Sequence, residues 1–157
     1  MSTGAVVLVV AVVAALAFGG YRALTDGRFR GTRQVTGSDQ GADDVAEPLE
    51  QSLLADTEWA GQLGERATLL QFSSAFCAPC RATRRVLEDV SGVTPGVAHL
   101  EVDAERHLDV VRRLGILRTP TTIVLDARGH EVTRASGAPT KQQVLTAIAS
   151  AVPDGPR

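Results

Sequence analysis

ATLLQFSSAFCAPCRATRRVLEDV, Ala67 to Val90, decides the fold. Its first six residues form an apolar run of strand length, and its last fourteen repeat apolar residues at helical spacing (Ala82, Val86, Leu87, Val90). Between them lie the only two cysteines of the 157-residue chain, Cys77 and Cys80, with Ala78 and Pro79 inside the pair. Two cysteines cannot make a disulfide scaffold, so the fold must rest on an apolar core. A structural zinc site wants four Cys or His ligands, and His99, His107 and His130 lack paired spacing. A c-type haem site needs His after the second Cys, where Arg81 stands. An inert core pair is an uncommon use of cysteines one turn apart at a strand-to-helix junction.

A redox couple has a physical basis. A helix starting at Cys77 brings its sulfur to unpaired backbone N–H groups at the positive end of the helix dipole, which lowers a thiol pKa. Arg81 and Arg84 add positive charge. Cys80 lies one turn on and on the same side, within reach of a small disulfide ring. Pro79 falls in the first turn, where its missing N–H costs little. Cys77 is then the exposed nucleophile and Cys80 the buried resolving thiol.

Downstream, strands are expected at Val97–Val102 and Thr121–Leu125, and a helix at Leu108–Leu114. A turn at Asp126–Gly129 leads into a strand at Glu131–Ala135. Thr140 caps a last helix running to about Val152. The order βαβα then ββα indicates an α/β chain with a mixed sheet and helices on both faces. Asp103 is expected to end its strand and cap the next helix, and Gly115 to end that helix.

Three segments carry a resemblance: the opening stretch, then VAHLEVDAERHLDVVRRLGILRTPT, then VLDARGHEVTRASGAPTKQQV. Together, over residues 67–152, they resemble a thioredoxin. The resemblance implies a thioredoxin fold, a cis Pro120 facing the disulfide, and Thr119 pairing its backbone with a substrate peptide. It implies thiol–disulfide oxidoreductase activity, with Phe76, Ala78, Pro79 and Arg81 supporting Cys77 and Cys80. The ring resembles the reducing end of the family, hence a protein-disulfide reductase in cell redox homeostasis. It implies no cofactor beyond the Cys77–Cys80 disulfide. Partners would be disulfide-bearing proteins, with an external reductase or low-molecular-weight thiol as electron donor. Phe76 stands where the family usually has Trp, and Ala78 where it has Gly. Gln71 replaces the buried acid that serves as general base, and His99 replaces a neighbouring lysine. Gln71 takes no proton at neutral pH, which leaves water or His99 to accept the Cys80 proton; water is expected.

Upstream, Gly4–Tyr21 runs 18 residues without a charge. As a helix it spans about 27 Å, near the ~30 Å hydrocarbon core. It is apolar all round, unlike a soluble surface helix. Ala15-Leu16-Ala17 offers a signal-cleavage site, but no Lys or Arg precedes the run as a secretory leader requires. A membrane anchor, residues 1–21, is therefore expected. Arg22, Arg28, Arg30 and Arg33 follow it, which puts the following domain in the cytoplasm by the positive-inside rule. Residues 22–48 read as a basic juxtamembrane segment and acidic linker, and 49–153 as the thioredoxin-like domain. Leu49 to Leu63 is expected as an amphipathic helix with Leu49, Leu53, Leu54 and Trp59 inward; Gly31–Thr36 is a candidate first strand. The net charge of −2 gives no general drive toward nucleic acid. Two other roles share this fold: an envelope-facing protein of cytochrome c maturation, and a non-catalytic binding module.

Overall fold

The computed structural model describes residues 3–25, 27–31 and 52–152. Its elements, in chain order, are α1 (Thr3–Thr25), β1 (Phe29–Gly31), β2 (Ala67–Ser73), α2 (Ala78–Val93), β3 (Val97–Asp103), α3 (Leu108–Arg113), β4 (Thr121–Asp126), β5 (Glu131–Ser136) and α4 (Lys141–Ala151). The strands form one five-stranded sheet in the order β1-β5-β4-β2-β3. β3 runs parallel to β2, while β4 and β5 are antiparallel to their neighbours.

β2 is an interior strand, between β4 and β3, and every one of its residues is buried. Its alternation splits the core in two, because successive side chains leave opposite faces. Leu70 and Phe72 join Ile123 and Leu125, covered by Val110 of α3 and by Leu114, its C-cap. Ala67 and Leu69 join Val124 on the other face, under Leu87 and Val90 of α2 and Val144 and Ile148 of α4. Gln71 shares that second face, which places it beneath the start of α2. Helices therefore cover both faces of a mixed sheet. At the far end, the Thr140 side chain accepts from the Gln143 amide and Gln143 reaches back to Thr140 N, a capping box that starts α4.

Three expectations are corrected. Ser52 to Gly61 is a run of turns, not a helix. The Thr57 hydroxyl donates to the Leu54 carbonyl at 2.8 Å and takes the Trp59 amide at 3.3 Å, a local bonding that competes with helix. Leu54 is fully buried, and Leu53, Trp59 and Leu63 pack against the same core; Leu49 lies outside the described residues. The edge strand is Phe29–Gly31, two residues before the expected one, and it pairs with β5. The sheet therefore draws one short strand from the span read as juxtamembrane segment and linker; Thr32–Thr36 lie outside the described residues. Asp103 caps a turn rather than α3: its carboxylate accepts from Glu105 N at 2.9 Å and its carbonyl from Arg106 and His107 N. Helix α3 begins five residues later, at Leu108, without a side-chain cap. Gly115 does follow the end of α3 in the left-handed region, φ +62°.

Candidate active site

Cys77 is the N-cap of α2. Its backbone is still extended, and its Sγ accepts the Cys80 amide at 3.1 Å. The first sulfur thus receives one of the unpaired amides that every helix start exposes. Pro79 sits in the first turn, where no amide is needed. Cys77 and Cys80 form a disulfide with Cα atoms 5.2 Å apart. The two sulfurs differ in access: Cys80 is 2% exposed, while Cys77 is half-buried and followed by the exposed Ala78 and Pro79. Arg81 lies on the exposed side, its amide bonded to the Cys77 carbonyl.

Two loops border the disulfide. Phe76 is fully exposed and holds φ +58°, a left-handed conformation that costs a non-glycine residue about 1 kcal/mol. The Thr119–Pro120 peptide bond is cis. The Thr119 and Ser74 hydroxyls hydrogen-bond at 2.8 Å, tying the loop before Cys77 to the loop before β4. Pro120 is buried, and its carbonyl accepts the Gly137 amide at 2.7 Å.

Beneath Cys80 lies a polar strip that the sequence reading anticipated only at Gln71 and His99. Gln71 is fully buried. Its Nε2 donates to the Cys80 carbonyl at 3.0 Å and to Ser73 Oγ at 2.8 Å. A carbonyl only accepts, so the amide orientation is fixed and Oε1 faces His99 Nε2 at 3.1 Å. His99 must then donate from Nε2, so that nitrogen is no base toward Cys80. Ser73 in turn bonds Glu101, which pairs with Arg84 Nη2 at 2.6 Å. Burial pushes Glu101 up, but the Arg84 and Ser73 hydrogen bonds outweigh it and hold the carboxyl below its usual range. Ser73, Arg84 and Glu101 line a small cavity of about 280 Å³ beside the site. A period-two signal was present: residues 71 and 73 on one strand, 99 and 101 on the next, are polar and share a face.

Burial is the main cause that lowers the His99 pKa; Glu88 and Glu101 oppose it and Arg84 reinforces it. The folded chain thus resists protonation that the unfolded chain accepts near pH 6.5. His99 contributes stability fully above that pH, and this is lost as pH falls from 6.5 toward the folded value. Glu101 acts in a separate, more acid window: its contribution is lost only as pH falls through its lowered folded value. Urea unfolding of wild type and His99→Gln from pH 7.5 to 5 should show a downward slope in wild type that the variant lacks.

Among the described residues no group of three His, Cys, Asp or Glu side chains could hold a metal ion.

A family model described as a thioredoxin-like domain matches residues 53–151. The mitochondrial thioredoxin-2 of Schizosaccharomyces pombe is 29% identical over 77 residues, covering 49% of this chain and 57% of the relative. Thioredoxin H2-1 of Oryza sativa is 33% identical over 73 residues, covering 46% of this chain and 52% of the relative. The chain thus spans about half the length of these curated relatives. Among solved structures, spinach chloroplast thioredoxin f superposes with a TM-score of 0.53 at 26% identity, over 61% of this chain and 87% of that one. A thioredoxin of Halobacterium salinarum, at 21% identity, shares the fold with a TM-score of 0.53 over 59% of this chain and 80% of its own. Fold and family model agree, and the chain belongs to the thioredoxin-like family.

Proposed function

We propose that this protein is a membrane-tethered thiol–disulfide oxidoreductase that works as a protein-disulfide reductase. The observation that carries this is the asymmetry of the cysteines: Cys77 caps a helix within reach of substrate, and Cys80 is shielded behind it. In the reduced protein, the Cys77 thiolate attacks a substrate disulfide and bonds one of its sulfurs; the other leaves and takes a proton. Cys80 then gives its proton to water and attacks Cys77 Sγ, releasing the second substrate sulfur. Two electrons and two protons reach the substrate, and the Cys77–Cys80 disulfide forms. An external reductase or low-molecular-weight thiol returns it to the dithiol. The protein's own disulfide is its only redox group in this scheme. Phe76, Ala78 and Pro79 shape the exposed rim, Arg81 adds charge, and Thr119 and Pro120 offer backbone to the substrate chain.

The tether is α1. Its Thr3–Tyr21 portion is long and apolar enough to cross a membrane, and none of it is buried in the protein. The arginines after it favour a cytoplasmic catalytic domain.

One experiment tests both halves. Cells are treated with a membrane-impermeant maleimide, intact or permeabilised, with and without prior reduction. Cys77 labelling after permeabilisation alone, without added reductant, is the expected result: a dithiol inside the cell. Labelling of intact cells would put the site outside and favour the envelope role. Labelling that needs reductant would mean a resident disulfide and overturn the reductase assignment.

A further inference from the structure

A single residue separates the end of helix α1 from the first residue that bonds to the sheet domain. The helix ends at Thr25, and two residues later the Gly27 amide donates to the Ser136 carbonyl at 2.9 Å. Gly27 holds φ +73°, and a Cβ there would fall on the Ala138 carbonyl and the Pro139 nitrogen, so this close approach requires glycine. Phe29 to Gly31 then pair with Ala135 to Thr133. The Ser136 carbonyl that receives Gly27 also receives Arg118 Nη2 at 2.8 Å, and the next amide, Gly137, donates to the Pro120 carbonyl at 2.7 Å. The backbone that grips the exit from α1 therefore also grips the loop of Thr119 and Pro120. That loop touches Ser74, three residues before Cys77.

The reach is short. Helix α1 continues four residues past Tyr21, about 6 Å, and Thr25 to Gly27 adds at most about 7.6 Å. The grip thus lies within about 14 Å of the end of the apolar stretch. A flexible tether would instead let the domain sample a wide range of heights. We infer that the active site is held at a fixed, short height above the membrane, and that its substrates are disulfides in membrane-proximal segments of other membrane-embedded proteins. This rests on the reading of α1 as a membrane span and of Cys77–Cys80 as a reductase couple. It holds for either face of the membrane.

The test uses the full chain in phosphatidylcholine vesicles with a small dithiol as reductant. The substrates are single-span helices carrying a fluorogenic disulfide either directly after the span or beyond a rigid helical spacer of about 20 residues, some 30 Å. Wild type should reduce the near disulfide at least ~10-fold faster than the far one, because the far one lies beyond a rigid reach. A Gly/Ser insertion of about 20 residues after Thr25 keeps the Gly27 contact but frees the height, and should bring the two rates within about 2-fold. Equal near and far rates in wild type, with a soluble disulfide peptide still reduced, would overturn the inference and leave the reductase reading standing. Failure to reduce the soluble peptide as well would overturn that reading. Loss of the chain from washed vesicles would overturn the membrane span.

Discussion

Replacing Cys77 by serine should abolish turnover, cutting disulfide reduction roughly 10³-fold or more, as loss of a covalent nucleophile does. The serine hydroxyl can still sit at the N-cap and accept the Cys80 amide, since serine is a good cap. Stability of the reduced protein should therefore change little while activity disappears. Cys80→Ser should behave differently. Its first attack is intact, because the Cys77 sulfur and its amide donor remain, but no second sulfur resolves the product. Substrate should accumulate as a mixed disulfide on Cys77, visible on non-reducing gels and released by a small thiol. These outcomes separate catalysis from a scaffolding role. A scaffold needs neither sulfur, so full cellular function of Cys77→Ser would favour a non-catalytic module. Adducts on Cys77→Ser rather than Cys80→Ser would reverse the assigned roles.

The strands and the site loop were legible because each is coded locally. Ala67–Phe72 is a mainly apolar run in which only Thr68 and Gln71 are polar, and β2 is buried throughout. Cys77 and Pro79 mark a helix start by chemistry that needs no tertiary information, as does Thr140 with Gln143. Other features were not legible. The Leu49–Leu63 segment carries Leu49, Leu53, Leu54 and Trp59 in a helix-like pattern, but the Thr57 hydroxyl and a docking bond from Leu53 N to the Gly129 carbonyl hold Ser52–Gly61 in turns. Strand β1 is three residues long and gains its identity from β5, about a hundred positions away. Glu101 looked like an ordinary polar strand residue. Only the register that sets Gln71 beside it, with Ser73 between, reveals one polar strip from Arg84 to the Cys80 carbonyl.

That strip makes Gln71→Glu the sharpest probe of what the missing acid means. The side chains are nearly isosteric, but Gln71 donates two hydrogen bonds from Nε2, to Ser73 and to the Cys80 carbonyl. A protonated glutamic acid supplies one of them and a carboxylate supplies none. At zero exposure, burial should push the new carboxyl's pKa well above the usual glutamate range, because ionising it there means taking a charge out of water. The folded chain would hold a proton that the unfolded chain releases near pH 4.3. The variant should thus be most stable in acid, losing stability as pH rises from about 4.3 through its folded pKa, then levelling off. Wild type has no ionisable group at this position and shows no such loss from it. His99 Nε2, 3.1 Å from Gln71 Oε1, would limit the shift by stabilising the carboxylate, so adding His99→Gln should deepen the alkaline loss. Function should move the other way. Once ionised, the carboxylate can take the Cys80 proton, and the resolving step should speed up with pH by at least ~10-fold, toward the 10²–10⁴ range of general bases. Stopped-flow release of the mixed disulfide reads this step directly. A Gln71→Glu protein as stable as wild type from pH 4 to 8 would mean that water reaches the position. A resolving step with unchanged pH dependence would mean that the carboxylate is out of reach of the Cys80 thiol, and that water accepts its proton whether or not an acid lies beneath it.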